Sequence, residues 1–227
     1  MAVLEHDLAK VHPEIDMVTT PDGLPVAMVH CNTCTSDLNA WVDLFAQTLE
    51  AAGHPVSKGD LFTLLFRQAL LGDADAGGLV SFNCYSGEPV IGLEDGRPLF
   101  ARRPDSPLTL PNFMRAQLYA AIATLAAGME ILFREEHVTL DCLNGHGGFF
   151  KTPEVGQRLM AGALNVPVAV LSTAGEGGPW GMALLARYAA VKAPGQSLPD
   201  FLDTRVFAGS SRQVLDPDPA DCAGFAA

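Results

Sequence analysis

The stretch of this sequence best suited to chemistry is Asn144-Gly145-His146-Gly147-Gly148-Phe149-Phe150-Lys151-Thr152-Pro153. Its glycines let the backbone approach a flat base or a phosphate with no Cβ in the way. The apolar run before it, residues 138–143, reads as a strand. Thr152 then caps a helix that starts at Pro153, where the missing N–H costs nothing. Ligands of open α/β sheets bind off the carboxyl ends of strands. A helix N-terminus adds free N–H groups and a positive dipole end. A tight turn using glycine only for its backbone freedom would look the same, so both readings stand on these residues alone. His146 could touch a phosphate or serve as a base, or be a solvated loop residue.

Other residues invite chemistry less strongly. Gly175-Glu176-Gly177-Gly178-Pro179-Trp180-Gly181 also joins a strand to a helix, which starts either at a capping box of Thr173 with Glu176 or with Pro179 as its first residue. Trp180 sits where a dinucleotide fingerprint needs its third glycine, and no phosphate-loop motif occurs, so close helix packing is the better account of this set. The missing fingerprint also argues against a dinucleotide-dependent oxidoreductase. Cys31-x-x-Cys34 has no second cysteine pair and no paired histidines to complete a four-ligand zinc site. It precedes a helix, as redox pairs do, although its flanks differ from theirs. Glu88, in Ser86-Gly87-Glu88-Pro89, could fix a loop or a metal-bound water, with a structural salt bridge as the default.

These residues need a frame. Residues 25–30 read as a strand, and residues 37–53 as a helix facing inward through Leu38, Trp41, Leu44, Phe45 and Leu49. Residues 57–71 form a second helix burying Leu61, Leu64, Leu65 and Leu71, and 79–84 a strand. The proline-broken stretch 87–111 has the length of a functional or packed loop. Residues 112–136 form the strongest helix, with Met114, Leu118, Ile122, Leu125, Met129 and Leu132 in one stripe. A helix carrying Val155, Leu159, Met160 and Ala163 inward, a fully apolar strand at 166–171 and a helix at 175–190 complete the pattern. Strands separated by helices give an α/β class with a partly parallel sheet. All 227 residues read as a single domain, with about 193–227 as a peripheral tail.

Composition narrows the partners. With 48% apolar residues the chain can build a sizeable core and is not disordered. Lys and Arg number 14 against 26 Asp and Glu, a net charge of −12, which argues against nucleic acid and against a polybasic membrane anchor. There is no uninterrupted run of 18 apolar residues and no secretion signal at the N-terminus. Five scattered cysteines fit reduced thiols in a cytoplasm. Both ends look cut, with a strand-like Met-Ala-Val-Leu start and an Ala-Gly-Phe-Ala-Ala finish.

Four segments, in order, make the chain resemble the C-terminal lobe of FGGY-family carbohydrate kinases. They are the Gly87-Glu88 element, the Arg115-Ala116 pair opening the long helix, Gly147-Gly148-x-x-Lys151-Thr152 with Gln157, and Glu176-Gly177 through Gly181-x-Ala183. The likeness spans about residues 26–191, and the last two segments at their mutual spacing are the most specific. The chain departs from the family at Tyr119, where a glutamate is common, and at Phe149 and Phe150, which replace small residues.

The resemblance implies an actin-like ATPase (ribonuclease H-like) lobe, a mixed sheet flanked by helices. It implies Mg²⁺-assisted phosphoryl transfer from ATP to a sugar hydroxyl, of a pentulose such as xylulose or ribulose. Gly148 and Thr152 would lie against adenine and ribose with Gly147 beside them, and Asn32 and Thr35 near the phosphates. The catalytic base and the Asp-x-Gly-Thr phosphate loop belong to a preceding N-terminal lobe, so no residue here takes the base role. A lobe parted from its partner would expose apolar surface and favour a homodimer. The rival class is a non-catalytic ATP-binding or regulatory module on the same fold. A reading frame running upstream into Asp-x-Gly-Thr would favour the kinase.

Overall fold

The computed structural model describes residues 1–172 and 177–227. Strands β1 (Ala2–Val3), β2 (Ile15–Thr19) and β3 (Pro25–Val29) form an antiparallel sheet with β3 in the centre. Helices α1 (Ser36–Ala51) and α2 (Lys58–Ala69) follow, and the Ser57 hydroxyl caps α2 by accepting the Asp60 N–H at 3.2 Å. A short hairpin, β4 (Val80–Phe82) with β5 (Leu99–Ala101), precedes the long helix α3 (Leu110–Arg134). Strand β6 (Leu143–Gly145), helix α4 (Val155–Leu164) and strand β7 (Val168–Leu171) make one parallel crossover unit. Helices α5 (Gly177–Val191) and α6 (Leu198–Phe201), strand β8 (Arg212–Leu215) and helix α7 (Pro219–Ala226) end the chain. β8 pairs antiparallel with β7, so this second sheet is mixed.

The apolar stripe of α3 is the core. Met114, Leu118, Ile122, Met129 and Leu132 are each at most 2% exposed, with Leu125 half-buried. Burying each contributes about 2 kcal/mol. At Gly128 the helix runs so close to β3 that a Cβ would come within 2.3 Å of Val29 Cγ1. By length and composition α3 could cross a bilayer, but half of its most apolar window is buried here and it serves as the central helix of the core.

Several elements differ from the sequence expectation. Among the described residues the strands form three small sheets rather than one. Leu44, Leu64 and Leu71 are exposed, because Val42 takes the inner face of α1, and Phe66 and Ala69 that of α2. The strand expected at 138–143 begins only at Leu143; the Val138 N–H is bonded to Leu132 O at the end of α3 and is not free for a ladder. Thr152 does not cap α4, which begins at Val155, because Glu154 takes a left-handed φ of 71° that breaks the helical path. Residues 193–227, read above as a peripheral tail, supply the edge strand β8 and a helix, α7, that packs on α4.

That last helix completes a buried ionic network. Arg115 on α3 is 1% exposed and Asp221 on α7 is 2% exposed. The Arg115 guanidinium bonds to Asp221, to the carbonyls of Ala69 and Gly72 after α2, and to the Tyr119 hydroxyl at 3.0 Å. Arg158 on α4 donates to the other Asp221 oxygen at 2.6 Å. One carboxylate thus ties α3, α4 and α7, and through Arg115 the end of α2. Removing one partner of a buried pair strands a charge, so Asp221→Asn should cost about 3–5 kcal/mol in urea unfolding. Arg158→Met, at a half-exposed side chain, should cost about 1 kcal/mol or less.

A second tie, His12 Nε2 to Glu136 Oε1 at 2.6 Å, fastens the β1–β2 connection to the end of α3. Hydrogen bonds from His12 and the Ala9 N–H hold the Glu136 carboxyl below its usual range. Its contribution to stability is therefore full above the ordinary carboxylate pKa and is lost as pH falls through the lower folded value. Glu136→Gln should be less stable than the parent at pH 7, and the gap should close on acidification below about pH 4 in denaturation curves.

Candidate functional site

A cleft of about 380 Å³ opens between α1, α2 and the loop from β6 to α4. Thr35, Leu38 and Asn39 line it from the start of α1, and Phe62 and Phe66 from α2. The loop contributes Gly148, Phe149, Lys151 and Thr152. The volume lies in the range of small-molecule sites, which are mostly apolar with a few polar groups that orient the ligand.

The loop's shape follows from its residues. Gly147 has φ of 94°, a conformation that disfavours side chains, and opens a single 3₁₀ turn at Gly148–Phe150. The turn is closed by Phe150 N–H to Gly147 O at 3.1 Å and Lys151 N–H to Gly148 O at 3.2 Å. No atom lies within 4 Å of where a Gly148 Cβ would sit, so the backbone there faces open space. The two phenylalanines hold the turn from beneath. Phe150 packs on Gly145 so closely that a Cβ there would lie 2.5 Å from its ring, and a Cβ at Gly156 would lie 2.3 Å from the Phe149 carbonyl oxygen and 2.7 Å from its ring. Phe149 also meets Phe66 edge-on at 6.1 Å, and Phe66 meets Phe62 at 6.0 Å, giving an aromatic wall.

The opposite wall is fixed by Glu88. Only 1% exposed, its carboxylate accepts the N–H groups of Asn32 at 3.0 Å and Thr33 at 2.6 Å. The Asn32 side chain donates to Gly87 O at 2.6 Å, and the Thr33 hydroxyl accepts the Tyr85 N–H at 3.1 Å. The default expectation of a salt bridge at Glu88 is therefore replaced by a charge satisfied by backbone N–H donors. The close approach explains Gly87, where a Cβ would lie 2.4 Å from Glu94 O.

Of the residues singled out from sequence, Thr35, Gly148 and Thr152 meet in the cleft. Gly147 shapes the loop from behind, and Asn32 faces a separate open groove with Pro89 and Glu94. Thr173, Gly175 and Glu176 lie outside the described residues. Among the described residues no three His, Cys, Asp or Glu side chains converge as a metal site. Sequence reasoning missed the α2 wall. Phe62 and Phe66 stand four apart, on a face adjoining that of Leu61 and Leu65, and that spacing was the available signal.

No curated protein matches the sequence significantly. Among solved structures, the chain superposes on a xylulose kinase from Lactobacillus acidophilus with TM-score 0.66 at 19% identity, covering 96% of this chain and 41% of that one. A gluconate kinase from Lactobacillus acidophilus gives 0.65 at 20% identity, covering 94% and 39%. A xylulose kinase from Rhodospirillum rubrum gives 0.64 at 21%, covering 96% and 41%. The chain thus spans about two fifths of these kinases' length. The fold is an actin-like ATPase lobe, as the motifs imply. Residues 1–190 match the profile described as the C-terminal domain of the FGGY family of carbohydrate kinases, and the chain belongs to that family.

Proposed function

We propose that this chain is the nucleotide-binding lobe of a sugar kinase that moves a phosphoryl group from ATP to a hydroxyl of a pentulose such as xylulose or ribulose. The observation that carries the reading is the meeting of Gly148, Thr152 and Thr35 in one cleft with an aromatic wall. Phe62, Phe66 and Phe149 offer apolar contact to a flat purine, and the bare Gly148 backbone lets its edge come close. Thr152 and Asn39 supply hydrogen bonds to a ribose, and Lys151 a cation toward phosphate. Mg²⁺ would arrive with ATP and neutralise charge on its phosphates. By the family resemblance, the protein ligands of that ion and the catalytic base would belong to a preceding N-terminal lobe.

The net charge of −12 keeps nucleic acid out of the scheme. Five free thiols accord with a cytoplasmic setting. Homodimer formation belongs to the same proposal, since apolar α5 leaves Met182 and Val191 exposed at 71% and 48%.

Isothermal calorimetry of this chain with ADP should show weak binding, while sugar phosphorylation by the chain alone stays at background. Gly148→Val, which puts a branched side chain into the cleft, should weaken ADP at least roughly tenfold without changing the circular dichroism spectrum. A folded chain with no ADP heat at millimolar nucleotide would defeat the proposal. Glu88→Gln replaces one acceptor by a donor and should cost about 1–3 kcal/mol. It should also speed hydrogen exchange at Asn32 and Thr33, and unchanged exchange there would refute the role assigned to Glu88.

A further inference from the structure

The turn between β3 and α1 holds two thiols that the proposed nucleotide site does not use. Cys34 is exposed and Cys31 half-buried. Cys34 Sγ donates to Cys31 O at 3.0 Å, so the chain doubles back and sets the two residues side by side. Cys34 holds a left-handed φ of 44°, a conformation that disfavours a residue with a side chain. The strain is kept by anchors on every side. Asn83 Nδ2 donates to Cys34 O at 2.7 Å, and Glu88 binds the N–H groups of Asn32 and Thr33. Thr35, the next residue, lines the cleft.

The two thiols are also chemically unequal. Interaction with the Cys31 side chain brings the Cys34 thiol pKa down to about 7, against burial and the Glu88 charge. Cys31 is pushed up by the same interaction and by its burial. An exposed, easily ionised thiol beside a protonated partner is the arrangement of an attacking and a resolving cysteine.

We propose that Cys31 and Cys34 are a redox-active dithiol on the cleft wall, oxidised to a Cys31–Cys34 disulfide by a low-molecular-weight disulfide. The Cys34 thiolate attacks one sulfur of the oxidant, whose S–S bond breaks to release one thiolate. That thiolate takes up the proton Cys34 gave to solvent. With Cys34 now uncharged in the mixed disulfide, Cys31 loses the neighbour that held its proton. Cys31 then releases that proton and attacks Cys34 Sγ, and the second thiol leaves with the proton. The protein loses two protons and two electrons, and the oxidant gains both and becomes two thiols. The bridge closes a loop across the turn that carries Thr35, so the oxidation state of the pair sets the shape of that wall.

The test uses the full chain and glutathione disulfide, with tryptic mass mapping under non-reducing conditions. Lys10 and Lys58 bracket a peptide whose only cysteines are Cys31 and Cys34, while Cys84 falls in a different one. The expected product is the 11–58 peptide lighter by two hydrogen masses, restored by dithiothreitol. Cys31→Ser should stop at a glutathione adduct on Cys34. Cys34 should also react with iodoacetamide at pH 7 at least roughly tenfold faster than buried Cys84. Circular dichroism checks that the Cys31→Ser chain is folded. A bridge joining the 11–58 peptide to Cys84, or an 11–58 peptide that keeps both thiols under excess oxidant, would overturn the proposal. So would a Cys31→Ser chain that carries no adduct. None of these readouts depends on nucleotide binding.

Discussion

A guanidinium that is 1% exposed must be paired, and the geometry of this lobe follows from how Arg115 is paired. Its donors reach the last carbonyls beyond α2, the Tyr119 hydroxyl and the Asp221 carboxylate, which in turn holds Arg158 on α4. One of these elements, α2, forms a wall of the cleft with Phe62 and Phe66, and α4 follows the turn that presents Gly148. The ionic network thus ties the helix of the aromatic wall to the helix that follows the glycine turn. The partner charge comes from residue 221, so the chain's last helix is part of what holds the site together.

A second constraint works at smaller scale. Glu88 is buried without a cation and is satisfied by backbone N–H groups of the turn before α1. The same turn holds Thr35 at the cleft and Cys34 in its left-handed conformation. A cleft-lining residue, the N–H groups that hold Glu88 and the two thiols thus share five consecutive residues.

The α/β class and the long core helix were legible because they rest on local periodicity. The stripe from Met114 to Leu132 needs no tertiary information. The glycine turn was legible too, since Gly147 adopts a backbone conformation that glycine alone takes freely. What could not be read depends on contacts distant in sequence. Asp221 pairs with Arg115 across 106 positions, and nothing in Asp-Cys-Ala-Gly marks it as buried. Val138 reads as a strand residue but spends its N–H on the end of α3. Thr152 followed by Pro153 fits a helix start by type, and only the left-handed turn at Glu154 shows that the helix begins later.

Nucleotide binding in the cleft between α1, α2 and the β6–α4 loop can be followed through the amide resonances of a ¹⁵N-labelled chain during ADP titration. Shifts should concentrate at Thr35, Asn39, Gly148 and Thr152 and should saturate together. Shifts confined to the separate groove at Glu154, Ser172 and Gln213, with the cleft unmoved, would contradict it.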